Sequence, residues 1–211
     1  MRGRRLFRGS FRDADVAWAY AAIVVIVAIV VRVLPRTRTQ DLVLETSTNL
    51  DNLRHTPLLV LGASAFVVSS AWGLWILAPL VVAFAAAQRW LGRAATVIVA
   101  VLGHVGATLF VAVLLAAGIN DGLLDADVAR EPDVGVSYGL AAVAGVLVGR
   151  VPHRWRPWYA LGVLAVAAAS LLPDGDFTGV GHVTAVLLGF ALAVLTSARR
   201  ARTPAEPTRP A

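Results

Sequence analysis

Asp133-Val134-Gly135-Val136-Ser137-Tyr138-Gly139 and, about forty-five residues later, Gly181-His182-Val183-Thr184-Ala185 each open an apolar run able to cross a membrane. Each stretch sets one reactive side chain, a serine or a histidine, within a turn or two of the start of its run. If the two runs are neighbouring helices pointing the same way, Ser137 and His182 meet at one depth.

Composition decides the class in which these runs are read. Residues of the AVILMFWYC set make up 58% of the 211 residues and charged residues only 15%, with a mean hydropathy of +0.72. A soluble domain of this size needs far more polar surface. There is no cysteine, which removes disulfide and thiolate chemistry. All 19 basic residues are arginine. They flank apolar runs and form no patch, so membrane orientation explains them and nucleic-acid binding does not.

Working outward, the chain divides into a basic N-terminal arm (1–15), a membrane domain (16–197) and a Pro-, Thr- and Arg-rich tail (198–211) expected to be disordered. The run from Val16 to Leu34 is longer than a signal-peptide core and is read as a retained first span. A polar connection follows over 35–56. The apolar stretch 57–88 exceeds one span of about 20 residues, so it is read as an approach segment at 57–69 and a second span at 70–88. Pro79 predicts a kink there. The third span is expected at 94–117, the fourth at 134–149, the fifth at 158–172 and the sixth at 177–197. The short fourth suits a helix that starts in a recess.

Six spans with the N-terminus in the cytoplasm place both termini there. Fourteen arginines then lie inside: Arg2 through Arg12, Arg89, Arg93, Arg150, Arg154, Arg156 and those from Arg199 onward. Five lie outside, as the positive-inside rule requires. The expectation is an all-α, polytopic protein of the bacterial plasma membrane, with the lipid bilayer as its first partner and no nucleic acid.

In this topology Ser137 lies roughly 5 Å and His182 roughly 7–8 Å along their helices at 1.5 Å per residue. Ser137, Ala141, Gly145 and Gly149 recur every four residues, as do Gly181, Ala185, Gly189 and Ala193. Such small-residue stripes let helices approach closely in lipid. A lone serine in an apolar helix usually bonds its own backbone; the pairing is what points to chemistry. An imidazole can take a serine proton and later protonate a leaving amine, while backbone N–H groups at the start of the fourth span help hold an oxyanion. No acid lies within either helix; Asp133 and Asp176 flank them as weak orienters. His104, near the middle of the third span, is expected deeper than the pair, as a packing or accessory residue. No metal or cofactor is expected. A transporter built on His104 and His182 is disfavoured, since the spans lack charged residues.

A six-helix core, a G-x-S motif opening the fourth helix and a histidine near the outer end of the sixth together resemble the rhomboid family of intramembrane serine proteases. The resemblance covers residues 16–197 and looks closest to divergent actinobacterial members. It implies Ser137 as nucleophile and His182 as general base, with Gly135, Tyr138 and Gly139 as motif support. Tyr138 stands where the family's G-x-S-G has its second glycine, and it is expected to crowd the substrate groove. Gly181 and Gly189 match the sixth-helix pattern, with Ala185 in place of a glycine. Where the family carries H-x-x-x-N on the second helix, this chain has Trp72 and Ile76. The implied function is cleavage of transmembrane substrates near the outer membrane face. The alternative is an inactive relative that binds transmembrane clients.

Overall fold

Helices begin where the apolar runs begin. In the structure, a computed structural model, residues 13–68, 72–171 and 177–202 are described. The arginines of residues 1–12, Ser69 and Ser70, the Pro173–Asp176 turn and residues 203–211 lie outside them. Among the described residues nine α-helices follow in order: α1 (Asp15–Val33), α2 (Arg36–Thr46), α3 (Leu50–His55), α4 (Pro57–Ser64), α5 (Leu77–Leu91), α6 (Arg93–Asn120), α7 (Val136–Val146), α8 (Arg156–Ala169) and α9 (Phe177–Arg202). Among the described residues there is no strand.

Among the described residues four helical segments are long and apolar enough to cross a bilayer: Asp15–Val33, Gly73–Leu91, Arg93–Asn120 and Phe177–Thr196. The 28-residue α6 is about 42 Å long at 1.5 Å per residue. The other two expected spans are short helices: α7, extended by a 3-10 turn to Arg150, and α8. α9 continues to Arg202, past the expected end of the sixth span at 197. The polar stretch 35–56 is largely helical: Asn49 caps α3 by accepting the Asn52 N–H at 2.8 Å, an N-cap bond that satisfies an otherwise orphaned donor.

Apolar side chains point both ways, as lipid demands. On α1, Ala17, Ala21, Val24, Ala28 and Val31 form the buried stripe, while Ile23, Ile26, Ile29 and Val33 are exposed. That inverts the soluble-protein pattern, in which the exposed face is polar. Pro79 lies close to a change in helix type. A 3-10 turn over Trp72–Ile76 gives way to α5 at Leu77, so Pro79 falls in the first α-turn, where a missing N–H costs least.

Packing fixes the helix directions. Val16 N–H donates to Gln88 Oε1 at 3.1 Å and Tyr20 packs on Phe84 with ring centroids 5.1 Å apart, so α1 and α5 are antiparallel. Gly139 faces Ala100 and Gly135 faces His104, which sets α6 antiparallel to α7. Between α7 and α9 the facing pairs climb together: Tyr138 with Gly181, Gly145 with Gly189, and Gly149 with Ala193. These two helices are therefore parallel and in register.

Candidate active site

Two glycines bring α7 and α9 together. A Cβ on Gly145 would lie 2.6 Å from Val186 O and 3.1 Å from Gly189 Cα; one on Gly189 would lie 2.9 Å from Gly145 Cα and 2.9 Å from Val146 N. Backbone meets backbone there, and only hydrogen fits. Ala142 and Ala185 are fully buried beside them, and Gly149 sits against Trp90 and Ala193. Ala141 faces elsewhere. With Ser137 and Ala144 it lines a cavity of about 480 Å³ whose other walls include Ile76, Ser170 and His182.

That cavity brings Ser137 and His182 to one space, closed by α5, α7, α8 and α9. Among the described residues no hydrogen bond joins them. The His182 ring instead meets Ser170, which ends α8: Nδ1 lies 3.0 Å from Ser170 Oγ. Ser170 was not singled out from the sequence. The available signal was a hydroxyl closing an otherwise apolar helix twelve residues before the histidine.

Tyr138, expected to crowd the groove, points away from the cavity. Its side chain is fully buried, its ring packs edge-on against His182 with centroids 5.2 Å apart, and its hydroxyl donates to Asp133 Oδ1 at 2.9 Å. The neighbouring Ser137 and Tyr138 side chains diverge because successive residues on an α-helix are rotated by about 100°. Gly181 leaves the room: a Cβ there would collide with the tyrosine ring. Asp133 is buried too; Thr48 binds it through Oγ1 to Oδ2 at 3.3 Å and through its backbone N–H to the Asp133 carbonyl at 2.9 Å. A buried carboxylate needs such donors.

His104 sits level with the start of α7, not below the Ser137 depth. Its ring fills the space above Gly135, whose missing side chain makes the contact possible. The expectation failed because it placed the start of α7 near the outer end of α6, whereas α7 begins opposite the middle of that longer helix. The His104 Nε2–H donates to Leu61 O at 2.9 Å and also lies 3.2 Å from Ser64 Oγ. Gly135 N–H donates to Ser64 O at 3.0 Å. His104 therefore staples the approach segment to α6 and α7. Together with Gly139 it lines a separate apolar cavity of about 630 Å³. Among the described residues no group of three His, Asp or Glu side chains converges to hold a metal ion.

A family model described as "Rhomboid-like protein" matches residues 10–202, whereas no curated protein and no solved structure matches. That match runs from the start of α1 to the end of α9 and takes in every helix of the bundle; the chain belongs to the rhomboid-like protein family.

Proposed function

We propose that this protein is an intramembrane serine protease in which Ser137 is the nucleophile and His182 the general base. The observation that carries the reading is the shared cavity of Ser137 and His182. In the reaction, Ser137 Oγ bonds to the scissile carbonyl carbon as its proton passes to His182. The imidazolium then protonates the leaving amine as the C–N bond breaks. Water attacks the acyl-enzyme, its proton going to His182 and then back to Ser137. The substrate is a transmembrane segment. It would reach the cavity from lipid between α5 and α8, which form two of the cavity walls. Six membrane crossings, with α7 and α8 as the short ones, put both termini in the cytoplasm, the arrangement that the arginine distribution favours.

The test is fluorophosphonate labelling of purified protein. Wild type labels and Ser137→Ala does not. Equal labelling of both refutes the nucleophile assignment.

One observation favours an inactive relative that holds clients without cutting them. Ile76, at a position where the family carries an oxyanion donor, lines the same cavity. A hydrocarbon there offers nothing to a developing oxyanion, and each such donor is typically worth ~3–4 kcal/mol. On this reading, crosslinking captures intact client helices and His182→Ala leaves the yield unchanged.

A further inference from the structure

The bond between His182 and Ser170 contains more information than a contact. Ser170 is the residue at which α8 stops, and its hydroxyl has one proton. That proton is committed: Oγ donates to Ala167 O at 2.6 Å, and a carbonyl can only accept. A ring nitrogen 3.0 Å from the same oxygen must then supply its own proton. A neutral imidazole protonated on Nδ1 has its lone pair on Nε2.

We propose that Ser170 is the positioning residue of the site: its hydroxyl accepts Nδ1–H of His182, fixes the ring tautomer, and makes Nε2 the nitrogen that receives the Ser137 proton. This rests on the protease reading given above. The arrangement follows the logic of a catalytic triad, in which a third group holds the imidazole in the useful tautomer, with a hydroxyl in place of a carboxylate. The surroundings give a reason for the substitution. The remaining cavity wall is almost wholly apolar and includes Val163, Val166, Ala167 and Val186. A full negative charge here would carry a large desolvation cost. Ser170 also caps the C-terminal end of α8, where unsatisfied carbonyls concentrate negative potential. That potential favours the imidazolium formed during the reaction.

The test has two arms. In the first, protein labelled with ¹⁵N-histidine in micelles is observed by NMR above the pH at which its rings titrate, with His182→Gln identifying the His182 signals. Wild type should show protonated Nδ1 and unprotonated Nε2. Ser170→Ala should lose that preference and Ser170→Thr, which keeps the hydroxyl, should retain it. A proton on Nε2 in wild type, or an unchanged tautomer in Ser170→Ala, overturns the proposal, and this readout needs no protease activity. In the second arm, the fluorophosphonate labelling rate of Ser170→Ala should fall roughly five- to tenfold, the weight of one neutral hydrogen bond, with recovery in Ser170→Thr. Equal rates in wild type and Ser170→Ala refute a positioning role in the reaction. Labelling absent in wild type despite the expected tautomer refutes the protease reading and the Ser137 step with it.

Discussion

Replacing Gly189 by alanine should unfold the bundle more readily, while the same change at Gly62 should not. A Cβ on Gly189 lies 2.9 Å from Gly145 Cα and from Val146 N, and closer still to Ala142 O. Ordinary carbon contacts fall near 3.5–4.0 Å, so α7 and α9 must separate by roughly 1 Å along their tightest stretch. All three obstacles are backbone atoms, so no rotamer change relieves them. Overpacking of this kind costs about 1–3 kcal/mol. The upper end applies because widening also weakens the neighbouring contacts of Ala142, Val146 and Ala193, and packing is what holds helices together in lipid. Exchanging glycine for alanine in a helix returns up to about 1 kcal/mol, leaving a net loss of about 2 kcal/mol. Gly62, exposed on α4, has no atom within 4 Å of a Cβ, so Gly62→Ala should gain slightly. Reversible unfolding in detergent with rising SDS mole fraction measures both. Equal stability of the two variants would refute the reasoning. The opening of the α7–α9 contact should also slow labelling at Ser137, since displacements near 1 Å from a catalytic geometry can cost roughly a hundredfold.

Two further expectations bear on other parts of the molecule. Tyr138→Phe keeps the ring against His182 but removes a donor from a buried carboxylate, so it should cost about 1–3 kcal/mol in the same unfolding assay; no loss would mean that Asp133 does not depend on this bond. Orientation can be read by cysteine labelling, because the native chain has no cysteine: Leu123→Cys should react with a membrane-impermeant maleimide on intact cells and Arg154→Cys only after permeabilisation, the reverse result inverting the topology.

Much of the fold was legible in the sequence because a bilayer constrains both the length and the polarity of helices. The run from Val16 to Leu34 maps onto α1 within one residue at either end. Residues 35–56 were harder, since α2 has low hydropathy and its helical state depends on local bonds. Thr39 Oγ1, for instance, reaches back to Val31 O at 2.8 Å. Nothing in the unbroken apolar run marks the change from 3-10 to α-helix at Leu77, two residues before Pro79. His104 was placed too deep for a related reason: residue counts along separate helices give relative depth only when the offset between helices is known. At the site, the direction of α7 and α9 followed from counting crossings, but side-chain directions did not. That Ser137 faces a cavity while Tyr138 faces the protein interior depends on where α6 and α9 sit around α7. The Ser170–His182 bond depends on where the end of α8 meets the first turns of α9.

Tyr138 and Gly181 fit one another beside His182. A tyrosine in place of the second glycine of the G-x-S-G motif needs a volume close to α9, and Gly181 supplies it directly before the histidine; a side chain at 181 would meet the ring. Once there, the tyrosine has a buried hydroxyl that must be satisfied, and Asp133 accepts from it. Asp133 in turn binds Thr48 between α2 and α3. Two of the contacts that hold the His182 ring differ in their physics. An edge-to-face contact with Tyr138 sets the plane of the ring, while the hydrogen bond to Ser170 identifies which nitrogen has the proton. Replacing Tyr138 should therefore disturb ring orientation without changing the tautomer, and replacing Ser170 should do the reverse. The histidine is supported through Tyr138 from the segment before α3 and directly from the end of α8.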